Sequence, residues 1–194
     1  MRDKKVYEIV VIAVFTALII VLTIVPQIGY IQLFGIVGIT IIHIPVLIGG
    51  IFGGRKVAVS LGLVFGLSSL FVALTRPASP VDFVFQNPLV SVLPRVLFGL
   101  AMYEIYRLFR KVIKVKYLDM TLTMIVSTFV HTLLVLVPLF IFGRNALAEV
   151  GFTGSMFTLI IGVILTNGIM EIVLAGVIGG PIAQRLLDYK EADL

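Results

Sequence analysis

The chain has 194 residues, 60% hydrophobic and 13% charged, with no cysteine. Such a composition excludes a soluble domain, and the missing cysteines exclude both a disulfide framework and a thiolate metal site. The net charge of +5 invites a nucleic-acid reading, but the basic residues are placed as in a membrane protein, and no nucleic-acid partner is expected.

Six apolar stretches follow in chain order: Val6–Val25, Phe34–Phe52, Val57–Thr75, Pro88–Phe109, Leu122–Phe142 and Phe157–Gly180. A hydrocarbon core about 30 Å thick is crossed by about 20 helical residues at about 1.5 Å each. The predicted fold is therefore all-α: a polytopic membrane protein with six transmembrane helices, one domain over residues 1–194. Arg2, Lys4 and Lys5 precede the first stretch, as in a signal peptide, but it is too long for that and no small-residue cleavage pattern follows Val25. It is read as a retained span. Gly49, Gly50, Gly53 and Gly54 predict a tight turn before the third span.

Arg2, Lys4, Lys5, Arg55, Lys56, Arg107, Arg110, Lys111, Lys114, Lys116, Arg185 and Lys190 fall at the two termini or after spans two and four. With six spans those places share one side, and the other side has only Arg76 and Arg144. The bias predicts that both termini are cytoplasmic.

Motifs for enzyme chemistry are missing from the sequence. The glycines before Arg55 lack phosphate-loop spacing, His43 and His131 form no H-E-x-x-H motif, and no G-x-S-x-G is present. No catalytic residue, metal ligand or cofactor is expected. Any ATP used for uphill transport would be hydrolysed by partner subunits.

Polar residues inside the spans are costly in hydrocarbon and mark candidate function. Measured from the outer face, Arg95 and His43 lie about 10 Å deep, and His131 and Asn167 about 16 Å. Asn87, Ser91 and Arg95 are four apart, as are Ser127 and His131, and Asn167 and Glu171, so each set shares a helix face. These stripes predict a pocket open to the outside, lined by Arg95, Asn87, Ser91, His131, Asn167, His43 and Glu171. Gln32, in the connection from Pro26 to Gln32, is a further candidate. For the single Asn and His residues, hydrogen bonding between helices is an equally good account. A guanidinium in the membrane needs a counter-charge or an anionic ligand, so Arg95 pairs with Glu171 or faces a ligand carboxylate. Glu104 is explained by a local ion pair with Arg107 or Arg110. The connections Pro26–Gln32 and Arg76–Pro88 suit lids over the pocket. Small residues mark helix contacts: Ala13 and Ala17 on span one, and the ridge Ala58, Gly62, Gly66 on span three.

Together these features resemble the substrate-binding S component of an energy-coupling factor (ECF) vitamin transporter over nearly the whole chain. Its more specific parts are Ala13-Val14-Phe15-Thr16-Ala17 and the run from Gln86 to Gly99, with His43-Ile44-Pro45 and Gly66-Leu67-Ser68-Ser69 also similar. The sequence is most similar to the pantothenate branch. The resemblance implies a multi-pass protein of the bacterial cell membrane that captures a vitamin from outside. It also implies docking on a transmembrane scaffold subunit bound to two ATPase subunits, and toppling to release the vitamin inside. It assigns Ala13 and Ala17 to the scaffold interface. Arg95 favours an anionic vitamin such as pantothenate over pyridoxine, hydroxymethylpyrimidine or riboflavin. An intramembrane enzyme, an assembly subunit and a self-sufficient secondary transporter are the competing classes; they predict substrate turnover, no saturable binding, and uptake without an ATPase, respectively.

Overall fold

In the computed structural model the described residues are 4–25, 29–31, 39–115 and 117–192. Helix α1 (Lys4–Ile24) is followed by an antiparallel pairing of β1 (Tyr30–Ile31) with β2 (Ile39–Thr40), which sets Tyr30 opposite Thr40. Next come α2 (His43–Gly53), α3 (Arg55–Thr75), α4 (Pro80–Val84), α5 (Pro88–Ser91), α6 (Leu93–Val112), α7 (Leu118–Phe142) and α8 (Arg144–Glu149). The last helix comprises α9 (Met156–Val163), α10 (Ile169–Leu174) and α11 (Gly180–Ala192), joined by π-helical turns at Ile164–Gly168 and Ala175–Gly179.

Among the described residues, five helices are long and apolar enough to cross a membrane: Lys4–Ile24, Arg55–Thr75, Pro88–Val112, Leu118–Phe142 and Met156–Tyr189. Five of the predicted spans fall on them. The stretch Phe34–Phe52 differs, because Ile39–Thr40 is extended and the helix begins only at His43, leaving 11 residues. At 1.5 Å per residue that helix covers about 16 Å, roughly half a hydrocarbon core. The β-branched run Ile39-Thr40-Ile41-Ile42 favours the extended entry. Pro45 sits in the first turn of α2, where its missing N–H costs no helical bond.

Helix α3 is the hub, packing on α1, α2 and α6, while α7 lies between α6 and the last helix. The small-residue ridge of α3 makes the α3–α6 contact possible. A methyl on Gly62 would run into the Arg95 carbonyl, and one on Gly99 into the Ala58 carbonyl. On Gly66 it would lie 2.8 Å from the Val92 Cα. This ridge is therefore used within the chain. Phe15, Ile19, Leu47, Leu61, Phe65, Phe98 and Met102 fill the core around it. A second core of Val81, Phe85, Val90, Leu136, Leu139, Leu147 and Leu159 lies where α4, α5 and α8 meet α7 and α9.

The turn between α2 and α3 is made by Gly54 alone, at φ +93°. Gly49 and Gly50 lie inside α2 instead, where added methyls would press on Leu61 and Phe15 or on Ala58. Their place in the turn is thus corrected, because close helix packing, not backbone freedom, requires them. Glu104 pairs with Arg107 at 3.0 Å and Arg55 at 3.5 Å, the local ion pairing its position predicts. Buried Asp119 holds Arg110 at 2.9 Å, tying α6 to the start of α7.

On α1 the buried residues are Val11, Phe15, Ile19 and Thr23, one strip spaced by four. Tyr7, Ile12, Thr16 and Leu22 flank this strip half-buried, Ala13 and Ala17 are exposed, and only 22% of the span is buried within the chain. The last helix also buries every fourth residue: Leu159, Val163, Asn167, Glu171, Ala175, Gly179, Ala183 and Leu187. In a straight α-helix a step of four overshoots one turn by about 40°, so this strip would wind about 280° around the axis. Each π turn inserts one residue and takes back about 100°, which holds the strip against α7 for most of its length.

Candidate ligand-binding site

Arg95 is placed by its neighbour in sequence. Pro94 has no N–H, so the carbonyl four residues earlier, that of Val90, loses its helical partner. Arg95 Nη1 donates to that carbonyl at 2.7 Å. The same defect divides span four at Val92, between α5 and α6. The guanidinium carbon then lies 5.1 Å from the Phe85 ring centroid and 5.6 Å from that of Phe65, and the residue is only 6% exposed. Two aromatic faces attract the cation and keep it flat.

Ser91 and Asn87 do share the outer part of span four, but their side chains serve the backbone. Asn87 Oδ1 accepts the Leu89 N–H at 3.0 Å and caps α5, and Ser91 Oγ donates to the Asn87 carbonyl at 3.1 Å. Helix capping accounts for Asn87 and back-bonding for Ser91.

The two histidines, 88 residues apart in sequence, are stacked. Their ring centroids are 5.5 Å apart and the planes differ by 15°. Phe98 and Phe65 pack on His131 at 4.8 and 5.4 Å. Phe65 thus touches both His131 and Arg95. Neither nitrogen of His131 has a hydrogen-bond partner among the described residues, and neither do Ser127 Oγ and Thr128 Oγ1. A buried polar group left unsatisfied costs about 1–3 kcal/mol. Their concentration in one region makes it the candidate site for a polar ligand.

Glu171 has a definite protein partner. Its Oε1 accepts the Thr40 N–H at 2.7 Å, and Thr40 Oγ1 donates to the Gly29 carbonyl at 3.3 Å. The last helix thereby holds β2 just before α2 begins, and Thr40 links it to Gly29, the residue before β1. Asn167 is buried one turn before Glu171, inside the first π turn. Such turns are frequent at functional sites. Gln32 lies outside the described residues.

The connection Arg76–Pro88 is a packed cap, not an open loop. Arg76 donates to the carbonyls of Thr23 and Ile24 at the end of α1, at 2.9 and 3.3 Å. Asp82 accepts the N–H groups of Ala78 and Ser79, both at 2.8 Å. Gln86 closes the end of α3 through the Ala73 carbonyl at 2.9 Å.

The structure therefore brings Arg95, His131 and His43 to one buried region, sets Glu171 and Asn167 beside one another on the last helix, and gives Asn87 and Ser91 local backbone duties. Sequence reading alone passed over Phe65, Phe85 and Phe98, which look like any apolar residue of a span. The Pro94-Arg95 pair was a usable signal, since the proline frees a carbonyl one turn back.

Residues 7–183 match the family model for the substrate-specific component of ECF transporters. A curated relative from Lactococcus lactis subsp. cremoris (strain MG1363), named pantothenic acid transporter PanT, is 27% identical over 200 residues, covering 96% of each chain. A second, from Leuconostoc mesenteroides subsp. mesenteroides and named pantothenate transporter PanT, is 36% identical over 103 residues, covering 52% of this chain and 50% of its own. With five helices able to span the bilayer, the chain is a multi-pass protein of the cell membrane. The residues that carried the resemblance, Ala13 to Ala17 and Gln86 to Gly99, lie within the matched segment, and the chain belongs to the family of substrate-specific components of ECF transporters.

Proposed function

We propose that this component captures pantothenate from outside the cell, with Arg95 receiving the vitamin's carboxylate and His43, His131 and Asn167 lining its path. The observation that carries the reading is Arg95 itself. It is a cation held between Phe65 and Phe85 beside buried polar atoms that have no partner among the described residues. The names of the relatives from Lactococcus and Leuconostoc favour the same vitamin. A guanidinium offers a carboxylate a planar, two-point hydrogen-bonding match. Pyridoxine has no such group.

In this reading the chain is one domain in the bilayer, with α2 and its approach counted as the second of six passes. It has no cofactor of its own. It docks on a transmembrane scaffold subunit whose two ATPases provide the energy. The exposed Ala13 and Ala17 on the sparsely covered face of α1 suit that docking, because a small side chain lets another helix come close. Ala13→Leu or Ala17→Leu is expected to abolish pantothenate uptake in cells while calorimetry on the isolated protein shows unchanged binding. Binding lost together with uptake would place the alanines in the fold's own packing. No pantothenate binding by the native protein would end the proposal.

The twelve basic residues on one side set the orientation. Tags at both termini are expected to react with a membrane-impermeant reagent only after the cells are opened. An externally reactive C-terminus would remove one pass and turn the candidate site to the other side.

A further inference from the structure

We infer that Ser127 and Thr128, with the stacked His43–His131 pair, form a second subsite that receives the uncharged, hydroxyl-bearing end of the ligand. This rests on the reading that Arg95 holds the carboxylate, and it divides the site into a charged and a neutral half. The hydroxyls of α7 carry the inference. Thr123 and Thr132 satisfy themselves on the carbonyls four residues earlier, donating to Asp119 at 2.7 Å and to Thr128 at 3.2 Å. Ser127 and Thr128 lie between those two in sequence, are both 0% exposed, and have no partner among the described residues. They forgo the easy local bond that their neighbours make.

Ser127 is one turn from His131 on the same helix face, and Thr128 lies three residues away. The two His131 nitrogens add to the two hydroxyls, giving four buried polar atoms without partners among the described residues. A neutral imidazole offers one donor and one acceptor, and each hydroxyl can do both. That set matches guest hydroxyls, which also donate and accept, and offers nothing opposite a second charge. Phe65 and Phe98, packed on His131, supply apolar wall for guest methyl groups. The chemical class is thus a branched hydroxyacyl amide bearing a remote carboxylate. Pantothenate, with two hydroxyls and two methyls on its acyl half, is of that class.

The test compares pantothenate with N-(3,3-dimethylbutanoyl)-β-alanine, which keeps the carboxylate, the amide and the bulk but has neither hydroxyl. Binding is measured by calorimetry on the protein in lipid nanodiscs. A site built to hydrogen-bond hydroxyls rejects an analogue lacking them, so the native protein is expected to prefer pantothenate by at least about a hundredfold. Thr128→Val and Ser127→Ala are each expected to weaken pantothenate by roughly 5- to 30-fold and to leave the analogue within about threefold, as loss of one hydrogen bond predicts. Thr128→Ser, which restores a hydroxyl, should recover most of the preference. Equal weakening of both ligands, or no change for pantothenate in either variant, would overturn the subsite and leave these hydroxyls to internal water or packing. Arg95→Ala separates the two readings, because it is expected to weaken both ligands alike. If it spares both while Thr128→Val still discriminates, the carboxylate assignment falls and the hydroxyl subsite stands.

Discussion

Arg95→Ala is expected to weaken pantothenate binding by roughly thirty- to several-thousand-fold, the equivalent of about 2–5 kcal/mol for truncating one partner of a buried charge pair. The structure adds a second cost that must be separated from the first. Alanine also strips the Val90 carbonyl of the donor that replaces the missing N–H of Pro94. Leaving that carbonyl unsatisfied costs about 1–3 kcal/mol of stability, which is not a loss of affinity. Pro94→Ala in the same chain returns an N–H to position 94. The double variant is therefore expected to regain thermal stability while still failing to bind. Arg95→Lys should recover only part of the affinity, because an ammonium cannot reproduce the planar fork or its fit between two rings. Pantothenol, in which the carboxylate is replaced by a neutral group, should bind the native protein weakly and lose little on Arg95→Ala. Native-like binding of both ligands by Arg95→Ala would make the residue a structural one, answering to Val90, Phe65 and Phe85.

The second large effect is expected at the α3–α6 contact. Gly62→Ala and Gly99→Ala each drive a methyl against a backbone carbonyl, that of Arg95 or of Ala58. Alanine gains up to about 1 kcal/mol in helix propensity, but overpacking typically costs about 1–3 kcal/mol, and backbone yields less readily than a side chain. The clash wins. At about 2–4 °C per kcal/mol, a net cost of up to about 2 kcal/mol lowers the melting temperature of each variant by up to roughly 8 °C, and Gly62→Val should give little folded protein. Gly162→Ala is the control, since nothing lies within 4 Å of the added methyl. The Gly62 variant should also disturb binding beyond its effect on stability, because the atom it displaces belongs to Arg95. Melting indistinguishable from the native protein in both variants would mean that the helices can separate freely and that the ridge is not a tight contact.

The spans were legible because twenty apolar residues in a row have few other uses, and five of the six stretches coincide with long helices. The second was overdrawn, since hydropathy cannot separate a helix from an apolar extended strand, and Ile39 to Ile42 is β-branched throughout. Among the polar residues, the sequence gives depth and face but not occupation. Asn87 and Ser91 share Arg95's spacing and nevertheless spend their side chains on the backbone, as short polar residues near a helix start tend to do. The meeting of His43 with His131 was out of reach, because it depends on how α2 lies against α7. Thr128 went unseen for a similar reason. It is one position off the face that Ser127 and His131 define, and it is buried by close packing around α7. The π turns leave only a faint trace, a burial spacing of four where 3.6 is ordinary.

Those π turns bear on how the last helix tolerates changes in length. Removing one residue from an α-helical segment rotates everything beyond it by about 100° relative to what came before. Removing one from Ala175–Gly179 instead lets the turn relax to ordinary α geometry, so α10 and α11 each keep the face they present. The helix thus contains two places where a single codon can be lost with little consequence for the contacts on either side. One of them, Ile164–Gly168, holds Asn167. There a deletion harmless to packing would still remove or reposition a buried polar side chain, so the polar interior of the helix can change in one step without loss of the fold.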